Sequence, residues 1–282
     1  MKKTLIALAA ALMLPIFASA QSPADSLAIV NADWNWKDLG KGAKVGYAIV
    51  DMFGAKQSIS VLKYPAKKHV TEIIDAQNPA QATVPVISER TGALGSINAS
   101  YFNVRQLTPT TYFVDNRKVV GETGKEELFR ADGYVALKGR KGRRIEIGYT
   151  DPAKYEAYPK EYYDLLVSGP VVLMDSQIPQ FPAEAGFYDM RHPRTVIGYD
   201  AKGTIYYVVI DGRFPMFGAY GATIMEVALI SRYLGMTYAL NLDGGGSSTL
   251  WTAPTGVVNH PFDNRKFDHE GCRTVPNIII MK

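Results

Sequence analysis

Short runs rich in Val, Ile, Tyr and Thr recur along the chain at 44–52, 57–64, 94–102, 110–115, 133–138, 143–149, 165–173, 194–199, 204–211, 238–242 and 275–281. Their spacing, with turn residues between them, predicts strands. RTVIGYD and TIYYVVIDG flank Asp200, Ala201, Lys202 and Gly203 and predict a hairpin. The runs YYVVI and NIIIM lack polar alternation, which predicts strands covered on both faces. Helical spacing is clearest over 223–234, TIMEVALISRYL. There Thr223 is an N-cap, Glu226 three residues on completes a capping box, and Gly235 stands where a left-handed C-cap residue belongs. Val227, Ala228, Ile230 and Leu234 form its buried face. A shorter helix is expected over 80–92, ending near Gly92. The balance predicts an α+β fold: a single domain with a mixed, largely antiparallel β-sheet core and a few covering helices.

The first twenty residues, MKKTLIALAAALMLPIFASA, break this pattern. Lys2 and Lys3, an apolar middle, and Ala18 and Ala20 around Ser19 predict a signal peptide cleaved after Ala20, and hence an exported protein, periplasmic or secreted. Pro15 interrupts the apolar run, and no later stretch is long enough to span a bilayer. Residues 21–42 read as a lead-in and 43–282 as the domain. Cys272 is the sole cysteine, which excludes an internal disulfide and a cysteine metal cluster, so the apolar core must supply the stability. The formal charge of +4 includes Lys2 and Lys3, leaving +2 on the mature chain. Its cations are scattered apart from Arg140, Lys141, Arg143 and Arg144, which predict a hairpin tip. This balance gives no reason to expect nucleic acid or an anionic membrane as the principal partner. Oligomeric state leaves no mark in the sequence.

Candidate chemistry gathers at NLDGGGSST, 241–249, where Asp243 runs into Gly244, Gly245 and Gly246, then Ser247 and Ser248. Three glycines free the backbone for positive φ and close approach, and bare N–H groups in such a turn can hold an anion. It is not a nucleotide P-loop, because the lysine and the glycine spacing of that motif are missing. Asn98, Arg194, Asp211, Arg213 and Glu226 also fall at predicted strand ends or a helix start. Each has a structural alternative: Asn98 as a turn residue, Arg194 in an ion pair, Asp211 in a turn with Gly212, Glu226 in the capping box alone. Arg213, directly after Asp-Gly, can offer a planar fork to a phosphate or carboxylate.

From about residue 43 onward the chain resembles the phosphodiester glycosidase family. The resemblance is carried by the ordered segments RTVIG, VVIDGR, MEVALISRYLG, NLDGGGSSTL and VVNHPFDN. It departs from the family where Asn-Gly-Gly-Tyr-Phe is usual and this chain has Asn98, Ala99, Ser100, Tyr101 and Phe102. It departs again before Arg273, where Gly271 and Cys272 replace a frequent acid.

The resemblance implies hydrolysis at a sugar attached through phosphate, N-acetylglucosamine-1-phosphodiester-like. A departing phosphate monoester has its second pKa near about 6, so it needs cations and N–H groups more than a proton. On this reading Arg194, Arg213, the N–H groups of Gly244 to Gly246, and Ser247 or Ser248 hold the phosphate. Asp243 is the principal catalytic carboxylate, as base or nucleophile, with Glu226 second and Asp211 in support. Asn98 and Asn259 bind the sugar, and Tyr101, Phe102 and Phe262 stack on it or belong to the core. No cofactor is required by the pattern. Asp211, Glu226, Asp243 and Asn98 are nevertheless oxygen donors suited to Mg²⁺ or Ca²⁺, or else are balanced by the arginines. His69, His192, His260 and His269 show no zinc-ligand spacing. Two rivals remain: a metal-assisted phosphodiesterase cleaving P–O, and an envelope glycan-binding module without turnover.

Overall fold

The computed structural model describes residues 23–76, 82–182 and 186–282. The expected signal peptide and cleavage point lie outside these residues, as does the start of the helix expected over 80–92. The described chain is α+β, and its ladders are all antiparallel, so the parallel component of the expected mixed sheet is not found among the described residues.

The largest sheet has seven strands, and four of them form its centre: Ala55–Pro65, Thr204–Ile210, Arg194–Tyr199 and Tyr238–Asn241. Along Thr204–Ile210 the side chains alternate between two apolar layers. Ile205, Tyr207 and Val209 face a layer shared with Ile97, Val135, Leu166 and Ile279 of two five-stranded sheets. Tyr206, Val208 and Ile210 face a second layer covered by helices α1 (Pro23–Val30) and α4 (Ile224–Tyr233), through Ile29, Ile224, Val227 and Ala228. Cover on both faces explains the unbroken apolar run.

The 194–199/204–210 hairpin pairs Arg194 with Ile210 and Tyr199 with Ile205, and Gly203 takes φ +82° in its turn. Helix α4 carries the complete Thr223/Glu226 capping box. Helix α2 (Val84–Thr91) is closed by Gly92 at φ +66° and covers the outer face of one five-stranded sheet. Helix α3 (Tyr158–Glu161) covers the other, within a layer of tyrosines. Arg140, Lys141, Arg143 and Arg144 occupy the connection between the paired strands Gly133–Leu137 and Glu146–Tyr149.

The run expected as one strand over 165–173 is two, Asp164–Ser168 and Val171–Leu173, in different sheets. Pro170 has no N–H for a ladder, and the chain changes sheets there. Helix α1 and the strand Asn35–Gly40 occupy the lead-in, where no element was expected.

Candidate active site

The site begins where two central strands end side by side. Leu242 N–H donates to Thr195 O at 2.8 Å, and the chain then leaves the sheet at Asp243. Asn98 fixes that departure. Wholly buried, it donates from Nδ2 to Asp243 O at 2.7 Å, while its Oδ1 accepts from Thr195 Oγ1 at 2.9 Å and Thr249 N at 3.1 Å. Asp243 N–H donates to Ala99 O at 3.0 Å. One side chain thus clamps both ends of the glycine turn.

Within the turn, Gly245 has φ +64° and its N–H donates to Pro193 O at 2.9 Å, so that donor is committed to the protein. A Cβ on Gly244 would come within 2.5 Å of Pro193 O, and one on Gly246 within 2.4 Å of Arg273 Nη2. Glycine is required at 244, where backbone packs directly against the turn, while a side chain at 246 would displace the Arg273 guanidinium.

Asp243 lines a cavity of about 400 Å³ together with Tyr101, Arg130, Phe187, His192, Pro193, Arg194, Arg213, the three glycines and Arg273. Among the described residues lining it, Asp243 is the only carboxylate. Burial pushes its carboxyl up to about 6, against the opposing pull of Ser247, Arg130 and Arg273. Ser247 and Ser248 are both buried in the same turn.

The four arginines are held differently. Arg194 is buried and donates to Ala222 O at 2.9 Å, Phe187 O at 2.7 Å and Met190 O at 3.2 Å. Burial lowers its guanidinium to about 10, still charged at neutral pH. Arg130 pairs with Glu127 at 2.6 Å and lies 4.1 Å over the Tyr101 ring. Arg273 pairs with Asp263 at 2.5 Å. Arg213, at φ +69°, sits 5.0 Å over Phe262, and burial, then Arg273, lowers its pKa. A non-glycine residue held at positive φ costs on the order of 1–3 kcal/mol, and here that backbone turns the guanidinium to the cavity rim.

Several expected site residues lie off this wall. Glu226 completes the cap on Thr223 N and accepts two nitrogens of Arg191, at 2.6 Å for the closest pair, so it braces the 191–194 segment from behind. Asp211 is buried and accepts from Ser58 Oγ, Asn259 Nδ2 and His260 N at 2.7, 2.9 and 3.0 Å. Asn259 is itself buried, donating to Ser248 O and accepting from Leu250 N. Phe102 packs in the apolar layer beside α2. Tyr101 is on the wall, but its hydroxyl donates to Gly169 O and its ring lies under Arg130, leaving little free for stacking on a sugar.

Arg130, Phe187 and His192 were not singled out by the sequence reading. Arg130 stands in a loop, ELFRADG, with no pattern to mark it. His192 was legible as the neighbour of Arg194, and burial lowers its pKa. The oxygen donors proposed for a divalent cation do not converge, since Asp211, Glu226 and Asn98 are each spent on separate partners. Among the described residues no three His, Cys, Asp or Glu side chains form a metal-holding group.

A sheet-end turn presenting one carboxylate to a ring of guanidiniums is an arrangement suited to an anionic ligand. The chain belongs to the phosphodiester glycosidase family, whose sequence profile matches residues 91–282. The fold is similar to that of the zebrafish N-acetylglucosamine-1-phosphodiester alpha-N-acetylglucosaminidase catalytic domain, auto-inhibited by its pro-peptide. The TM-score there is 0.64 at 16% identity, over 84% of this chain and 82% of that one. It is similar also to a hypothetical protein from Synechocystis, TM-score 0.65 and 14% identity over 88% of this chain; the alignment spans 63% of that protein's length. A protein of Burkholderia pseudomallei K96243, provisionally named as exported, aligns with TM-score 0.60 and 16% identity over 81% of this chain and 74% of its own. No curated protein matches the sequence. Among the described residues no helix is long and apolar enough to cross a membrane.

Proposed function

We propose that this chain is an exported hydrolase that cleaves the sugar C1–O bond of a glycosyl-1-phosphodiester. The observation that carries the reading is Asp243, among the described residues the one carboxylate lining a cavity with Arg130, Arg194, Arg213 and Arg273. Ordinary glycosidases place two carboxyl groups about the bond, one of them to protonate the leaving oxygen. A phosphate monoester leaves as an anion, and guanidiniums take the place of that acid. Arg213 and Arg273, flanking the glycine turn, hold the phosphoryl oxygens, while Arg194 and Arg130 add charge from positions fixed by carbonyls and by Glu127. Preorganised donors of this kind contribute about 2.7–4 kcal/mol each to the transition state.

Asp243, ionised above pH about 6, takes a proton from water as its oxygen bonds to C1. The C1–O electrons leave with the phosphate, and the proton passes from Asp243 to solvent. With one carboxylate the simplest course is a single displacement. Export is supported by the N-terminal sequence and matches the name of the Burkholderia protein.

The test is hydrolysis of an α-N-acetylglucosamine-1-phosphodiester in ¹⁸O-labelled water, with and without EDTA. Label in the released sugar, unaffected by EDTA, is the expected result. Label in the phosphate establishes P–O cleavage and overturns the reading, and intact substrate restricts the site to other sugars or to binding.

A further inference from the structure

A second apolar feature begins at the cavity rim and continues across the surface. Arg213 lies over Phe262, Phe262 packs on Phe214 at 5.1 Å between ring centroids, and Phe214 on Phe267 at 5.4 Å. Phe267 stacks on Phe217 at 4.7 Å with the planes only 9° apart. The series ends at a short turn, Pro215–Phe217, where Met216 is 94% and Phe217 55% exposed. Tyr220 and Ile49, each a little under half exposed, line the same groove of about 750 Å³. Large apolar side chains scattered singly over a surface need no explanation, but a contiguous strip leading from a binding cavity marks an interaction site.

We propose that this strip holds the hydrocarbon part of the aglycone, so that the substrate is a glycosyl phosphodiester of a lipid-like alcohol. The proposal rests on the reading that phosphate is held at Arg213. A glycosyl phosphodiester is linear: sugar, phosphate, aglycone. With C1 at Asp243 and the phosphate between Asp243 and Arg213, the aglycone leaves the cavity past Arg213, where the half-buried Phe262 and Phe267, joined from beneath by the buried Phe214, lead toward the exposed Phe217. The charges favour a neutral chain, because Asp25 and Asp51 also line the far groove against the single Lys56, leaving no cationic match for a further anionic group. Arg213 makes the junction: its guanidinium carbon lies 5.0 Å from the centre of the Phe262 ring, and the same side chain lines the cavity that holds Asp243.

The product left on the enzyme by this reaction is an alkyl phosphate, so the strip can be tested by binding alone. Calorimetry compares ethyl phosphate with decyl phosphate, both below the concentration at which the longer one forms micelles. Decyl phosphate is expected to bind on the order of tenfold tighter or better, the gain of roughly two buried methylenes. The double variant Met216→Ser/Phe217→Ser is expected to bind ethyl phosphate as the parent does and to show a smaller chain-length gain, since Phe262 and Phe267 remain. Equal affinity of the parent for the two phosphates, no binding of either, or a gain undiminished in the double variant overturns the proposal. Arg213→Gln separates the two readings. A weaker grip on both phosphates locates phosphate at the rim, whereas unchanged binding of ethyl phosphate removes the phosphate reading, and the chain-length comparison still judges the strip.

Discussion

Asp243 is set where ionisation works against folding, and Asp243→Asn exposes the cost. Burial carries its carboxyl from the ordinary 3.8 to about 6. The gap, at 1.36 kcal/mol per pH unit, is about 3 kcal/mol. The sign follows from proton counting. Between those two values the native state binds more protons than the unfolded state, so this stabilisation is complete below 3.8 and is lost as pH rises through about 6. About 2 of the 3 kcal/mol fall between pH 4.5 and 7.5. Asparagine keeps the shape and does not titrate, so the variant gains on the parent by about 2 kcal/mol across that interval. Urea unfolding at the two pH values, followed by the fluorescence of Trp34, Trp36 and Trp251, reads the difference directly. Asp132 and Asp164, pushed up by burial to about 6 and about 7, titrate in both proteins and cancel. Over the same range kcat/KM of the parent should rise with pH to a plateau above about 6, and the variant should show no turnover. A stability difference independent of pH, or one that favours the parent more at pH 7.5, refutes the placement of Asp243 as a desolvated base.

Asn98→Ala removes the clamp and strands three buried partners, Asp243 O, Thr195 Oγ1 and Thr249 N; at about 1–3 kcal/mol for each unsatisfied group the chain should lose at least about 3 kcal/mol. Denaturation that shows less than 1 kcal/mol denies the clamp its role. Glu226→Gln weakens the ion pair with Arg191 and is expected to lower the melting temperature while leaving kcat within a few-fold of the parent. A loss of a hundredfold or more with the fold intact would instead return Glu226 to the chemistry.

Elements were legible wherever two-sided burial wrote an unbroken apolar run, as in YYVVI and NIIIM, or where a cap marked a helix start, as at Thr223. The lead-in gave no such sign: Asn35–Gly40 is an edge strand with an irregular, mostly exposed pattern. The run at 165–173 was misread as one strand because both its halves are buried, and only the missing N–H of Pro170 marks the change of sheet. In the site, the glycine turn was readable because close packing demands glycine whatever binds there. The acids were harder. Asp211, Glu226 and Asp243 all stand at element ends, and sequence cannot tell a carboxylate that accepts backbone and side-chain donors from one that faces a cavity. Arg130 reaches the wall across the tertiary fold, and no local pattern can announce that.

The strand Asn277–Met281 lies inside its five-stranded sheet, between Gly95–Asn98 and Thr71–Asp75. Two neighbours more than 170 residues earlier therefore wait for it, and until it arrives each leaves a sheet edge open. A nascent chain that has not yet reached Asn277–Met281 has no finished sheet to fold into. Long-range pairing of this kind is slow and keeps the polypeptide loose during synthesis.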